Sequence, residues 1–211
     1  MKLYNYWRSS ASWRVRIALA YKNIPFEYVA VNLLQKANRG EAYTAMNPIG
    51  QVPTLVLDDG RQLSQSLAIL EYLEETVPKP ALLPSDPFLR AKARQLAEVV
   101  NSGIQPFQNL PTIAHVQQLG GDPKAFVRGH IERGLEALAA SAAAVAGQFL
   151  VGDAPSFADV CLVPQLNAAR RFDLDPARWP LLARVEEACN KLSAFQGAHA
   201  DRQPDAEGAK K

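Results

Sequence analysis

A short stretch near the start of the chain carries three serines and an arginine. It runs Tyr6-Trp7-Arg8-Ser9-Ser10-Ala11-Ser12-Trp13. Apolar residues recur after it at helical spacing, which places the hydroxyls where a helix begins. One serine is enough to cap the helix by accepting an otherwise unpaired backbone N–H. The other hydroxyls would lie beside free N–H groups at the positive end of the helix dipole, where an anion such as a thiolate is favoured.

An ordinary helix cap with spare solvated serines explains the same turn, so the turn alone does not establish a function.

A second informative stretch places Val52-Pro53 directly before an apolar strand. Proline suits the first position of a strand, and the backbone of Val52 can then pair with an extended peptide. Gln65-Ser66 follows the next short strand, and Ser66 is predicted to be the N-cap of a helix that ends near Thr76.

The elements that must position these residues follow the order β-α-β, a loop with a weak helix, then β-β-α. This is a thioredoxin-like topology. Four prolines at 78, 80, 84 and 87 indicate a linker, and strand patterns give way to helical ones from Phe88 onward. We therefore expect an α/β thioredoxin-like domain over 1–80, a linker over 81–87 and an all-α domain over 88–211.

Within the second domain, helical patterns begin near Leu89 and cover about 126–147 and 181–192. Ser156 and Asp159 have the spacing of a capping box, which predicts the start of another helix. Pro164 lies inside that helix and should kink it. From about residue 198 the sequence is so polar that we expect a disordered tail.

Composition narrows the possible functions. The chain has 211 residues, 48% of them hydrophobic, and a formal charge of +2, so it can bury a core but gives no reason to expect nucleic acid. It contains no apolar run long enough for a membrane span, and Met1 leads into a strand pattern rather than a signal peptide, so the cytosol is the default location. Cys161 and Cys189 are predicted to be apolar helix residues, and the scattered histidines predict no metal site.

The serine turn closely resembles the signature of the zeta-class glutathione transferases, which include the maleylacetoacetate isomerases. The resemblance covers about residues 1–196 and includes several motifs in matching order. These are Asn47–Pro53, Gln65-Ser66, Gly103–Asn109, Ser156–Asp159, Leu162–Gln165 and Arg171-Phe172. The resemblance implies a homodimer with the glutathione transferase fold, in which a thioredoxin-like domain binds glutathione and a helical domain binds the substrate.

The resemblance also implies a role for each motif. Ser9, with Ser10 nearby, would donate a hydrogen bond to the glutathione sulfur. Val52 would pair with the cysteinyl backbone, and Gln65 and Ser66 would hold the γ-glutamyl end. The bond before Pro53 is predicted to be cis. Arg8 and Arg171 would bind the substrate's carboxylates. The implied glutathione-binding positions are Ser9, Ser10, Gln51, Val52, Pro53, Gln65, Ser66, Gln105 and Asn109.

The chemistry of these side chains agrees with the implied roles. No histidine lies near Ser9 in sequence to activate it, so we interpret Ser9 as a hydrogen-bond donor and not as a nucleophile. Arginine suits a carboxylate because its planar fork donates two parallel hydrogen bonds. We expect Arg14 and Arg16 to be solvated or salt-bridged. Ala11 stands where family members commonly carry cysteine, which puts in doubt only chemistry that depends on that thiol.

The resemblance implies glutathione-dependent isomerisation of maleylacetoacetate to fumarylacetoacetate, late in tyrosine and other aromatic amino-acid degradation. The thiolate would add to the cis double bond, allow rotation and then be eliminated. Alternatives on the same fold are maleylpyruvate isomerisation, glutathione conjugation and dehalogenation of small α-halo acids. A non-catalytic transferase-fold protein, such as a regulator that contacts RNA polymerase, is the alternative outside the enzymes, and the presence of Ser9, Gln65 and Ser66 argues against it.

Overall fold

The computed structural model describes residues 1–209, with side chains described through residue 206, and it forms two compact units. The first unit contains Met1–Ala81 and the residues from Leu192 onward. The second unit is Leu82–Lys191. The chain therefore passes from one unit to the other just after Ala81, inside the proline-rich stretch, and returns to the first unit at its end. No helix in the described part of the chain is long and apolar enough to cross a bilayer.

The first unit is built on a four-stranded mixed sheet in the order β2-β1-β3-β4. Its strands are β1 (Lys2–Asn5), β2 (Glu27–Ala30), β3 (Thr54–Val56) and β4 (Gln62–Ser64). β1 is parallel to β2 and antiparallel to β3, and β3 is antiparallel to β4. Parallel neighbours need a crossover, and α1 (Ser10–Tyr21) provides it between β1 and β2.

Two further helices complete the thioredoxin-like part of this unit. They are α2 (Glu41–Met46) and α3 (Ser66–Thr76), and α3 packs against α1. The core between sheet and helices consists of large aliphatic side chains with no exposed surface, since apolar burial drives the packing. They are Leu3, Val15, Ile17, Leu19, Leu55, Ile69, Leu70 and Leu73. The predicted α/β topology is confirmed, including the weak helix between β2 and β3.

The second unit consists of helices. They are α4 (Pro87–Asn101), α5 (Leu110–Gln118), α6 (Pro123–Ala142), α7 (Phe157–Arg171) and α8 (Pro180–Asn190), with short 3-10 segments at Gln105–Gln108 and Pro176–Arg178. α7 packs against α4 and α8, and nearly all of its side chains are buried. The predicted Ser156–Asp159 capping box starts α7, which continues through Pro164. The prediction extended α6 five residues too far, to 147, and it lacked α5.

The expected disordered tail is corrected by the structure through residue 206. After α9 (Ser193–Gly197) the chain forms 3-10 turns at Ala200–Arg202 and Pro204–Ala209. Ala198, Ala200 and Ala206 are only 1–4% exposed within the first unit. Sequence polarity therefore misled the prediction, since the buried residues are these alanines and the hydrogen-bonded Gln203. The same prediction for residues 210 and 211 lies outside the described residues.

Candidate functional site

The strand register brings three of the predicted motifs to one end of the sheet. Tyr4 in β1 pairs with Thr54 in β3, and Thr54 pairs with Ser64 in β4. The serine turn begins just beyond the last residue of β1, Val52-Pro53 comes just before β3, and Gln65-Ser66 follows β4. Because β1 and β4 both run antiparallel to β3, these three segments lie at the same end of the sheet. Tyr6 and Val52 also share one buried hydrophobic cluster there, against which Trp7 packs.

Ser9 is the serine that caps α1. Its side-chain oxygen accepts the Ser12 backbone N–H at 3.2 Å, and its own backbone N–H donates to the Tyr6 carbonyl at 3.0 Å. The cap uses the hydroxyl oxygen as an acceptor and leaves the hydroxyl hydrogen to be donated. Ser10 is the first residue of α1 and Ser12 is wholly buried, so Ser9 is the most exposed of the three serines.

The backbone at Val52, just before β3, has the properties expected of a peptide-binding segment. The bond between Val52 and Pro53 is cis, as predicted, and Lys79-Pro80 is a second cis bond that was not predicted. Asn47 Nδ2 and the Tyr43 hydroxyl each donate to the Gln51 carbonyl at 2.7 Å, which fixes the backbone ahead of Val52. In residues 1–209 no hydrogen bond is found for the Val52 N–H or C=O. Val52 is only 8% exposed, and an unpaired backbone N–H and C=O in such a place fit an extended peptide ligand such as glutathione.

The start of α3 differs by one residue from the prediction. Gln65, and not Ser66, occupies the N-cap position, and its φ of 70° turns the chain directly from β4 into the helix. Ser66 is the first helical residue and is only 4% exposed. Its hydroxyl accepts a hydrogen bond from Arg14 Nη1 at 3.1 Å. Ser66 is therefore held at the N-terminus of α3 by a cation, in an environment that favours an anionic ligand.

Arg14 and Arg16 were expected to be solvated or salt-bridged, and solvation is wrong for both. Arg14 is wholly buried and Arg16 is 2% exposed. Arg16 donates to the carbonyls of Trp7 at 2.9 Å, Tyr6 at 3.4 Å and Ala198 at 3.3 Å, and to Asn5 Oδ1 at 2.9 Å. Burial lowers the pKa of Arg16 to about 10, so its guanidinium is still charged at neutral pH.

A sequence signal for these buried arginines exists. From Trp13 to Ala20 the only polar residues of α1 are Arg14 and Arg16, and a helix that is apolar all round is buried on every side. Arg16 in such a helix must therefore find acceptors inside the protein. The missed residue at the other end of the chain is Asp205, which accepts hydrogen bonds from Trp7 and Tyr28, and no sequence pattern marks it.

The remaining predicted residues have simpler surroundings. Arg8 is half-buried, with its guanidinium 5.8 Å from the centre of the Trp7 ring, and the Gln51 side chain is exposed. In the second unit, Gln105 begins the 3-10 turn and donates to Asn109 Oδ1 at 2.6 Å. Arg171 is the last residue of α7 and is exposed. The structure thus gathers Ser9, Ser10, Val52, Pro53, Gln65 and Ser66 in the first unit, and it places Gln105, Asn109 and Arg171 in the second.

Comparisons with known proteins agree with this architecture. Residues 1–75 match the family described as Glutathione S-transferase, N-terminal domain, and residues 91–188 match Glutathione S-transferase, C-terminal domain. A maleylacetoacetate isomerase of Rattus norvegicus is 47% identical over 205 residues, which are 96% of this chain and 94% of that protein.

Two solved structures extend the comparison. A maleylacetoacetate isomerase from Anaeromyxobacter dehalogenans 2CP-1, with GSH bound in its active site, is 52% identical with a TM-score of 0.89 and covers 97% of either chain. A holo structure of a maleyl pyruvate isomerase, a bacterial zeta-class glutathione S-transferase, is 41% identical with a TM-score of 0.94 and covers 98% of this chain and 100% of the other.

The fold and the serine turn define a glutathione transferase, with a thioredoxin-like unit and an all-helical unit. The matches over both halves of the chain and over nearly the full length of its relatives are more specific than the fold. This chain belongs to the zeta-class glutathione transferase and maleylacetoacetate isomerase family.

Proposed function

We propose that this protein catalyses the glutathione-dependent cis-trans isomerisation of maleylacetoacetate to fumarylacetoacetate, a step of tyrosine degradation. The observation that carries the proposal is the Ser9 hydroxyl at the N-terminus of α1, whose oxygen already accepts the Ser12 N–H at 3.2 Å. The names of the relatives supply the reaction. They include the maleylacetoacetate isomerase of Rattus norvegicus and the GSH-bound isomerase of Anaeromyxobacter dehalogenans 2CP-1.

The residues of the first unit fit a bound tripeptide thiol. The unpaired backbone of Val52 would accept and donate the hydrogen bonds of the cysteinyl residue, while Gln65 and Ser66 would bind the γ-glutamyl carboxylate at the N-terminus of α3. Glutathione, when bound, supplies a thiolate whose reversible addition to the cis double bond makes that bond single and free to rotate. A cysteine-type thiol has a pKa of about 8.5 in water, and a donated hydrogen bond at a helix N-terminus lowers it. Ser9 has this role in the proposal, with Ser10 beside it.

The substrate carries carboxylates, and the proposal assigns these to Arg8 and Arg171. Each guanidinium can form a bidentate, charge-assisted pair with one carboxylate. Gln105 and Asn109 are proposed to contact glutathione, and the 2.6 Å hydrogen bond from Gln105 Nε2 to Asn109 Oδ1 fixes their relative orientation. Gln51 is proposed to contact glutathione through its exposed side chain. These roles follow from the family motifs that the residues occupy.

The test measures the reaction with both cis substrates, maleylacetoacetate and maleylpyruvate, with and without glutathione. The proposal predicts turnover of maleylacetoacetate only when glutathione is present, with the free-thiol concentration unchanged at the end. Conjugation would consume one thiol for each product molecule, and that result would refute the isomerase proposal. A chain that binds glutathione but turns over neither substrate would indicate a binding protein.

Maleylpyruvate is the second candidate substrate. Its support is the TM-score of 0.94 to the maleyl pyruvate isomerase holo structure, although that protein is less similar in sequence than the isomerase of Anaeromyxobacter dehalogenans 2CP-1. The two substrates require the same chemistry and differ in length. A kcat/KM for maleylpyruvate above that for maleylacetoacetate would reverse our choice between them.

We further propose that the active form is a cytosolic homodimer, as the family resemblance implies. Sedimentation of the purified protein tests the assembly. A sedimentation coefficient that corresponds to the 23.1 kDa monomer at assay concentrations would refute the dimer. Fractionation of cells that express the full chain tests the location.

A further inference from the structure

Trp7 and Arg8 are the central residues of the turn that carries Ser9. The Ser9 N–H donates to the Tyr6 carbonyl at 3.0 Å, which is the hydrogen bond that closes a β-turn. Because the Ser9 hydroxyl follows the backbone of this turn, its direction depends on what holds the peptide groups on either side of Trp7.

Both sides of Trp7 are held by charged side chains. Its N–H donates to Asp205 Oδ2 at 3.0 Å, and its carbonyl accepts from Arg16 Nη2 at 2.9 Å. Hydrogen bonds to ionised groups are the stronger class of protein hydrogen bonds. The peptide groups before and after Trp7 are therefore both fixed, one by a carboxylate from the end of the chain and one by a guanidinium from α1.

The end of the chain contributes a second acceptor to the same network. The Ala198 carbonyl accepts from Arg16 Nε at 3.3 Å. Asp205 is itself fixed by the Tyr28 hydroxyl, which donates to its Oδ1 at 2.5 Å. Burial and this hydrogen bond raise the pKa of Tyr28, so the hydroxyl stays protonated and remains a donor. The half-buried carboxylate of Asp205 thus has two donors and a buried cation near it.

We propose that Asp205 is a positioning residue for the serine turn: by accepting the Trp7 N–H, it makes the C-terminal segment part of the support that aims the Ser9 hydroxyl. The proposal rests on the proposed function, in which Ser9 donates to the glutathione sulfur. Asp205 acts through the Trp7 backbone and contacts neither glutathione nor substrate. Small displacements of a catalytic group have large kinetic effects, because proton and hydrogen-bond donation depend steeply on geometry.

The first measurement needs no ligand. Amide hydrogen exchange is followed in the peptide that contains Trp7, Arg8 and Ser9, and Asp205→Ala should speed exchange there about tenfold or more. Asp201→Ala is the matched control, since Asp201 is an exposed aspartate of the same segment, and it should leave this exchange unchanged. Exchange at wild-type rates in Asp205→Ala would overturn the proposal whatever the enzyme's reaction is.

The second measurement separates positioning from simple loss of stability. Asp205→Ala should raise the pKa of the bound glutathione thiol and lower kcat near neutral pH by about tenfold, with a smaller effect on glutathione affinity. Asp205→Asn keeps an amide oxygen that can accept the Trp7 N–H, so it should restore part of the activity. Tyr28→Phe removes only the second donor to Asp205 and should have the smallest effect of the three variants.

These readouts keep the two hypotheses apart. A wild-type protein without isomerase activity would refute the proposed function, whereas the exchange experiment would still decide whether Asp205 fixes the turn. An active wild type in which Asp205→Ala loses activity only in proportion to its unfolded fraction, with an unchanged thiol pKa, would refute the positioning role alone.

Discussion

The Ser9 oxygen accepts the Ser12 N–H, and this local bond makes the hydroxyl a better donor, because hydrogen bonds in a chain polarise one another. The three serines of the turn therefore differ in chemistry although they are neighbours in sequence. Ser9 is half-buried and its hydroxyl accepts one hydrogen bond, whereas the Ser12 hydroxyl is buried and has no hydrogen-bond partner among the described residues. Spacing alone could identify the turn, but only the cap geometry distinguishes its members.

Ser9→Ala should lower kcat most strongly near neutral pH. Without the donated hydrogen bond the bound thiol has a higher pKa, so less thiolate is present at that pH and activity should partly recover in alkaline buffer. The lost cap should also cost about 0.5–2 kcal/mol of unfolding free energy. The ultraviolet absorbance of bound thiolate, titrated against pH, measures the first effect directly.

Ser10→Ala is the matched control for this prediction, because Ser10 lies inside α1 and its replacement leaves the Ser9 cap intact. It should leave the thiolate titration close to that of the wild type. If Ser9→Ala leaves the titration unchanged and Ser10→Ala shifts it, Ser10 is the donor.

At the level of elements, α6 contains two glycines in very different surroundings. A Cβ on Gly134 would lie 2.2 Å from Ile104 Cγ1, whereas a Cβ on Gly129 would meet nothing within 4 Å. Ile104 is completely buried, so it has little room to move away. Gly134 is therefore needed for close approach of the chain at Ile104, and Gly129 is a helix-interior glycine without such a need.

Alanine at these two positions should change stability in opposite directions. Gly129→Ala should raise the unfolding free energy by about 0.5–1 kcal/mol through better helix propensity. Gly134→Ala should lower it by about 1–3 kcal/mol because the added methyl group overpacks the core around Ile104. Urea unfolding of the two variants beside the wild type gives both values. Equal stabilisation by both alanines would show that Ile104 relaxes freely.

Elements differed in how well the sequence predicted them. The strands and α1, α3 and α7 were predictable, because apolar residues, turn residues and cap spacing mark them in the sequence. α5 was missed: it is only nine residues long, and none of them is buried. The motifs of the site could be found in the sequence, but the predicted N-cap of α3, Ser66, was one residue too late, since Gln65 occupies that position. This cap depends on the positive φ of Gln65, which is an unusual conformation for that residue type.

At the scale of the whole molecule, the first unit is discontinuous in sequence. Its sheet and first three helices come from Met1–Ala81, and its last segment begins at Leu192. Such a segment reaches its place only after a long loop has closed, and the entropy of that closure must be offset by the contacts made. The buried alanines and the Asp205 hydrogen bonds are those contacts. Local sequence patterns cannot predict them, because the partners lie more than a hundred residues away.

The second unit has a buried carboxylate that should make stability depend on pH. Asp159 accepts hydrogen bonds from the Leu150 N–H, the Ser156 N–H and the Ser156 hydroxyl, each at 2.8 Å. These bonds favour the charged form, but complete burial has the larger effect and raises the pKa of Asp159 to about 6. The folded state therefore binds a proton more tightly than the unfolded state. The contribution of Asp159 to stability is full below its ordinary pKa and is lost as pH rises through about 6.

Comparison of wild type with Asp159→Asn isolates this contribution, because the amide does not titrate. The unfolding free energy of wild type minus that of the variant should fall by about 2–3 kcal/mol between pH 4 and neutral pH, as expected for a shift of about two pKa units. Urea unfolding at several pH values measures the difference. Asp153→Asn is the control for a carboxyl-to-amide change at the surface, since Asp153 is exposed and accepts the Gln148 N–H at 2.8 Å. A difference that grows with pH for Asp159→Asn would mean that the three hydrogen bonds outweigh burial, and that the folded carboxyl binds its proton less tightly than the unfolded one.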